Sequence, residues 1–330
     1  MIPECVVETE PLSYCTMLTS DAEERLLESL KDLGFNDFRG KQKEAITAAL
    51  TGSDCLVLMP TGGGKSLCYA LPAVITGKLA VVVSPLIALM QDQVSNFNKR
   101  GIKSDYFCST RTEKERAAII RGLQTANIAL RLLFVTPETF SSEQLLEHMR
   151  GIYASGQLAL VAIDEAHCIS SWGHDFRPAY RRLSSIRREL PGVPIMALTA
   201  TATKQVQDDI AQSVLRNPLR LITSFNRPNI SYHVRYQLQG SSSAVSQIAD
   251  IIEEMKGPAG AVPCCIVYTL KPAYHAGLRD AERTRVLEQW SSGQIPVVAA
   301  TIAFGMGIDR ACEPLLSSLY PRVSIVVVPA

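Results

Sequence analysis

Thr61-Gly62-Gly63-Gly64-Lys65-Ser66 and Asp164-Glu165 are the residues of this chain whose types and spacing could do chemistry together. A glycine run lets backbone N–H groups close around phosphate oxygens. A lysine directly after it can pair with terminal phosphates, and the next hydroxyl can ligate Mg²⁺. The run follows an apolar stretch and opens a helical pattern at Leu67, the setting such a loop requires; Met59 stands where the general G-x-x-x-x-G-K-S pattern has its first glycine. Asp164 and Glu165 end a second apolar run. Two acids at a strand end could be a helix cap, but with a phosphate loop in the same sheet they read as a metal partner (Asp164) and a residue that orients and deprotonates water (Glu165).

Directly after the acids come His167, Cys168, Trp172, His174, Phe176 and Arg177. The spacing of His167, Cys168 and His174 fits no standard tetrahedral set, so zinc is not expected. Aromatic and guanidinium groups beside a hydrolysis site could instead receive bases and phosphates. Ser84-Pro85-Leu86, Thr136-Pro137-Glu138 and Thr199-Ala200-Thr201 end other apolar runs, where their hydroxyls could grip a nucleic-acid backbone; their joint occurrence carries the reading, since a Thr-rich strand end is usually a cap. Gln42, beside the aromatic Phe38 on a helix lead-in, could read an adenine.

The elements that must position these groups follow from the apolar pattern. Continuous apolar runs at 55–59, 79–83, 132–135, 159–163, 195–198 and 219–222 alternate with helical stretches, which predicts a parallel sheet covered on both faces. A capped helix from Ser20-Asp21 to Gly34 precedes it, carrying Leu26, Leu27, Leu30 and Leu33. The expected organisation is a loose lead-in (1–20), a nucleotide-binding α/β domain (21–236), a linker and helix (237–262) and a smaller α/β unit (263–330). With 330 residues, 47% hydrophobic and 20% charged, the chain is long enough for two packed cores. A net charge of +1 gives no global basic signature, so nucleic-acid binding would need a local groove. Nine cysteines without a C-x-x-C pair read as buried reduced thiols. No stretch approaches the roughly 20 apolar residues of a membrane span, and the N-terminus lacks a signal pattern; no membrane partner and no secretion are expected.

In this order the motifs resemble the RecQ family of superfamily 2 DNA helicases, nearly continuously over 21–235 and again at 274–278 and 300–309. The resemblance rests on Phe38-Arg39 with Gln42, the phosphate loop, residues 84–93, Asp164-Glu165-Ala166-His167, the aromatic loop to Pro178, Thr199-Ala200-Thr201 and Phe225-Asn226-Arg227-Pro228-Asn229. It implies two RecA-like domains that close on ATP and move 3′ to 5′ along single-stranded DNA. By motif, Lys65, Asp164, Glu165 and His167 would be catalytic. Arg39, Gln42, Thr61, Gly62, Gly63, Gly64, Lys65 and Ser66 would hold ATP, with Mg²⁺ on Ser66 and Asp164. Ser84, Thr136, Trp172, His174, Phe176, Arg177, Thr199 and Thr201 would couple single-stranded or forked DNA to hydrolysis. A nuclear location is implied for a eukaryotic source, and cytoplasm otherwise.

The chain also departs from the family pattern. Tyr268 and Tyr274 are separated only by Thr-Leu-Lys-Pro-Ala, where similar proteins have a helix, and the pattern stops after Asp309-Arg310. The arginine-rich motif that would reach the γ-phosphate is missing, as are a zinc subdomain and a winged helix. The second RecA-like domain is therefore expected to be incomplete, with 324–329 as an exposed apolar tail. The alternative to an unwinding enzyme is a non-unwinding ATP- and DNA-binding fragment. A GTPase is disfavoured because Asn98-Lys99 is followed by Arg100-Gly101 rather than by x-Asp.

Overall fold

The computed structural model describes residues 20–173, 175–224, 230–236, 244–254, 256, 265–268, 278, 280–300, 315–320 and 323–329. The chain divides into two units between Phe225 and Asn226.

The first unit begins with α1 (Ser20–Asp32) and α2 (Gln42–Leu50). Gly34, at φ +81°, closes α1: its N–H donates to Lys31 O (2.8 Å), and the Phe35 N–H to Leu30 O (3.1 Å). Leu26 and Leu30 are buried against Ile46, Leu67 and Leu71. The chain then runs β1 (Cys55–Leu58), α3 (Lys65–Thr76), β2 (Leu79–Val83), α4 (Ile87–Lys99), β3 (Ser104–Phe107), α5 (Glu113–Leu123), β4 (Leu132–Val135), α6 (Pro137–Phe140), α7 (Glu143–Ala154) and β5 (Leu158–Ile163). It finishes with α8 (Pro178–Arg181), α9 (Ile186–Glu189), β6 (Ile195–Thr199), α10 (Lys204–Val214) and β7 (Leu219–Ile222).

The seven strands form one sheet in the order β3-β4-β2-β5-β6-β1-β7, with every neighbouring pair parallel. Alternate residues feed opposite faces: Leu56, Val81, Leu133 and Val161 belong to one core, and Val57, Val82, Phe134 and Leu160 to the other. Because both faces are covered, the strands read as unbroken apolar runs. The two edge strands are exceptions: β7 carries Arg220 and buries only Leu221, and β3 is not predicted by the apolar pattern. It is an edge strand whose Asp105 and Tyr106 are half exposed and engaged by Arg111, so only Ser104 and Phe107 are buried.

The second unit contains β8 (Ile230–Tyr236), α11 (Ala244–Glu254), β9 (Cys265–Tyr268), α12 (Asp280–Ser291), β10 (Val297–Ala300), β11 (Leu315–Tyr320) and β12 (Val323–Pro329), with the sheet order β10-β9-β11-β12-β8. Two expectations change here. Residues 230–236, assigned to the first domain from sequence, pair antiparallel with β12. Residues 324–329, expected as a tail, instead lie in β12, which pairs with β11 on one edge and with β8 on the other. α12 lies between the parallel neighbours β9 and β10, while the stretch between Tyr268 and Tyr274, where similar proteins have a helix, lies outside the described residues. Ile248 and Ile251 of α11 pack on Cys265 and Val267, whereas Trp290 of α12 packs on Ile266, its indole N–H donating to Cys265 O (3.3 Å). Residues 1–19, the 239–243 linker, and the motif segments at 225–229, 274–277 and 301–310 lie outside the described residues.

Candidate active site

The phosphate loop leaves β1 and opens α3, so the amide groups of the first helical turn face whatever the loop encloses. Gly62 and Gly64 adopt left-handed φ values of +79° and +80°, which favour glycine. Gly64 is constrained a second time, since a Cβ there would run into Nε2 of Gln42. That amide donates to Gly64 O (2.9 Å), while Oε1 of Gln42 accepts the Arg39 N–H (2.8 Å). Gln42, expected to read an adenine, is buried with its carboxamide hydrogen-bonded inside the protein, and the Arg39 side chain is exposed. Lys65 also folds inward, its ammonium donating to Met59 O (3.1 Å) and Pro60 O (3.4 Å). An anion entering the loop would draw it off two neutral carbonyls.

Asp164 sits one residue beyond β5, beside Ser84, and its N–H donates to Val83 O (2.9 Å). Burial, with Glu165 next to it, pushes its carboxyl up to about 6, against the opposing pull of Lys65. The Glu165 N–H donates to Oδ1 of Asp164 (3.0 Å), which fits the rare left-handed φ of +49° at Glu165. The Asp164 carboxylate and the half-buried Ser66 hydroxyl are hard oxygen donors of the kind Mg²⁺ takes, and a cation there would offset the buried negative charge, so these residues fit the ion. His167 is buried with Nδ1 2.9 Å from the Thr199 hydroxyl and 3.3 Å from Oε2 of Glu165. The same hydroxyl donates to Thr201 O (3.2 Å) and accepts the Thr201 N–H (3.2 Å). The ends of β5 and β6 are thereby joined through one imidazole.

The aromatic loop is bound to both neighbours through backbone carbonyls. Arg177 donates to Pro85 O (3.1 Å) and twice to Oδ2 of Asp175 (2.8 and 3.2 Å), and its N–H donates to Cys168 O (3.0 Å). A Cβ at Gly173 would stand 2.6 Å from His167 O, so only glycine lets the loop fold onto the acidic motif. Trp172 and Phe176 point into solvent, 68% and 41% exposed. His174 lies outside the described residues. His167, Cys168 and Asp175 bring potential ligand atoms within 4.8 Å of one another. Burial and Asp175 push the Cys168 thiol up to about 12, however, and Arg177 already holds Asp175.

The hydroxyls expected to grip a nucleic-acid backbone are placed differently from one another. Ser84 and Thr199 are buried, at 1% and 0% exposure, so neither hydroxyl reaches a surface ligand in this arrangement. Ser84 directly follows β2 and Thr199 ends β6, both inner strands of the sheet. Thr136 caps α6, accepting the Thr139 N–H (3.3 Å), and Thr201 is exposed. Sequence reasoning missed Tyr180, whose buried hydroxyl donates to Asp164 O (2.9 Å), and Asp175, which orients Arg177. A lone tyrosine two residues after Pro178 was the only signal for the first.

Residues 39–209 match the DEAD/DEAH box helicase family. The chain is 42% identical over 297 residues to the ATP-dependent helicase SGS1 of Saccharomyces cerevisiae, an alignment covering 83% of this chain and 20% of that protein. It is 40% identical over 292 residues to the ATP-dependent DNA helicase RecQ of Haemophilus influenzae, covering 84% and 46% respectively. The chain thus spans less than half the length of these relatives. Among solved structures, the helicase MrfA bound to DNA and AMPPNP superposes with a TM-score of 0.65 at 18% identity over 88% of this chain and 45% of that one. The Mycobacterium smegmatis helicase Lhr bound to ssDNA and AMP-PNP gives 0.64 at 18%, over 89% and 43%. At that identity the likeness concerns the fold alone.

Proposed function

This chain belongs to the DEAD/DEAH box helicase family, and from that premise we propose that its first unit binds and hydrolyses ATP and couples hydrolysis to single-stranded DNA, as the motor of a RecQ-type 3′-to-5′ helicase. One observation carries the coupling. The acid pair, the His167–Thr199 contact and the aromatic loop form a continuous bonded path, from Glu165 through His167 to Thr201 on one side and through Arg177 to Pro85 on the other.

In this reading the triphosphate lies over the first turn of α3, and Lys65 exchanges the Met59 and Pro60 carbonyls for β/γ oxygens. Ser66 and Asp164 would hold Mg²⁺, which supplies charge neutralisation on the phosphates when bound. Glu165 orients the attacking water and accepts its proton. His167, hydrogen-bonded to Thr199, passes the state of Glu165 to the segment that ends β6, while Gly173 and Arg177 tie it to the loop bearing Trp172 and Phe176. A purified chain should hydrolyse ATP faster with single-stranded DNA, and Lys65→Ala should remove the stimulated turnover. Absence of DNA-stimulated hydrolysis in the unaltered chain would overturn the proposal.

Unwinding of forked duplexes belongs to the same proposal. The second reading is a non-unwinding ATP- and DNA-binding fragment, since the chain spans less than half the length of the helicases it matches. Strand displacement on a fork, measured beside hydrolysis, separates the two; stimulated hydrolysis without displacement selects the fragment.

A further inference from the structure

Among the described residues, two buried side-chain hydroxyls have no hydrogen-bond partner in the protein: Tyr69 on α3 and Ser84 directly after β2. Each residue is 1% exposed. A buried hydroxyl gives up its bonds to water, so leaving it unpaired opposes folding until some other group satisfies it. Both hydroxyls belong to one place.

The sheet register brings them together. Val83 pairs with Ile163 across β2 and β5, and the ladder continues one step further, the Asp164 N–H donating to Val83 O (2.9 Å) and the Ser84 N–H to Val135 O (2.9 Å). Strand alternation therefore puts Ser84 and Asp164 on the face that carries Val82 and Ala162, whose core includes Tyr69. The Tyr69 ring is wedged there, its centroid 6.3 Å from that of Phe97 and 6.1 Å from that of Phe134, which it meets edge-on. Burial, and then the charge of Asp164, raise its phenol well above the ordinary tyrosine range, while the Ser66 hydroxyl one turn earlier on α3 pulls the other way. The phenol thus sits beside both residues that fit Mg²⁺.

We propose that Tyr69 and Ser84 are positioning residues of the divalent-cation site, their hydroxyls satisfied by water that Mg²⁺ retains when Ser66 and Asp164 hold it. Mg²⁺ dehydrates reluctantly, so it carries water into a pocket whose hydroxyls need it. A hydroxyl both donates and accepts, and can hold such a water in either orientation. Oδ1 of Asp164 is already anchored by the Glu165 N–H (3.0 Å), so the carboxylate is fixed before the ion arrives. Groups that orient a metal's ligands from outside its coordination sphere govern affinity strongly. The inference rests on the ATP and Mg²⁺ reading above and adds two residues to it.

Binding of a non-hydrolysable ATP analogue to the full chain, titrated with Mg²⁺ and repeated in EDTA, tests it. Tyr69→Phe keeps the ring between Phe97 and Phe134 and removes only the oxygen, and Ser84→Ala does the same after β2. Each variant should raise the Mg²⁺ concentration for half-maximal analogue binding about tenfold, with affinity in EDTA unchanged. Without nucleotide, each should melt at the parent's midpoint or above it, because an unpaired buried hydroxyl has gone. A packing role would not produce that combination. An unchanged Mg²⁺ requirement in the variants overturns the inference, and so does affinity lost equally with and without the ion. A lower melting midpoint of the nucleotide-free variants also overturns it, since the hydroxyls would then be bonded within the protein. If the parent chain itself binds the analogue no better with Mg²⁺ than in EDTA, the nucleotide reading fails and the inference with it; Mg²⁺-dependent binding in the parent with unaltered variants removes the inference alone.

Discussion

Gly64 shows how tightly single positions are set around the phosphate loop. It needs glycine for its backbone conformation and again for the space that Gln42 occupies. Gly64→Ala should cost about 1–2 kcal/mol in backbone strain and also push the Gln42 amide off its carbonyl, so ATP affinity should fall at least tenfold by equilibrium titration. Gln42→Ala in the same chain removes the clash but not the strain, so affinity should recover in part; no recovery would show that the clash is irrelevant. The position of the glycine loop between β1 and α3, and of the acid pair at the end of β5, was legible from sequence because motif spacing and apolar runs encode it. The inward turn of Gln42 was not, because an amide that can read a base can equally cap a neighbouring turn. The burial of Ser84 and Thr199 was not legible for a related reason: a hydroxyl at a strand end is the same letter whether it is exposed or covered. Tyr180 acts on the backbone carbonyl of Asp164, which no side-chain pattern reveals.

At the scale of elements, what distinguishes the loop after β5 is that it is held by backbone carbonyls: the Arg177 guanidinium by Pro85 O, the Arg177 N–H by Cys168 O and the Gly173 N–H by Ser170 O. Gly173→Ala would need the loop to retreat from His167 O, because a Cβ 2.6 Å away cannot be accommodated against backbone. The expected result is a chain that melts within a few degrees of the parent, since loop opening costs little global stability, but whose hydrolysis no longer rises with single-stranded DNA. Comparing hydrolysis with and without DNA reads this directly, and retained stimulation would separate the loop from coupling. The strands were legible where both faces are covered, as in β1, β2 and β4, because double burial writes an unbroken apolar run. At the β3 edge the signal vanished, and the strand, with polar Asp105 in its middle, was missed.

For the whole molecule, stability in the first unit turns on a buried acid far from the phosphate loop. Asp54 accepts the N–H groups of Ile195 (2.8 Å) and Arg216 (2.6 Å), pairs with Arg187, and its carbonyl accepts the Leu219 N–H (3.0 Å), so one residue fastens the starts of β1, β6 and β7. Asp54→Ala strands a guanidinium and two backbone donors, which should cost about 3 kcal/mol or more in denaturant unfolding of the first unit; a loss under 1 kcal/mol would refute the role. The second unit depends instead on backbone pairing in β12, the segment whose apolar letters suggested a loose tail. A β-branched run is the same in sequence whether it is exposed or paired, and only its partners β8 and β11, distant in the chain or beyond the family pattern, decide between the two. Val326 pairs with Ser317 on one side and His233 on the other. Val326→Pro removes a ladder hydrogen bond from an interior strand, so the second unit should become protease-sensitive. Lys65, Asp164 and Glu165 all belong to the first unit, so binding of a non-hydrolysable ATP analogue should persist in the same sample. Limited proteolysis beside an analogue titration measures both. Resistance of the second unit in the variant would mean that β12 is dispensable to it, and loss of analogue binding would mean that the nucleotide site depends on more than the first unit.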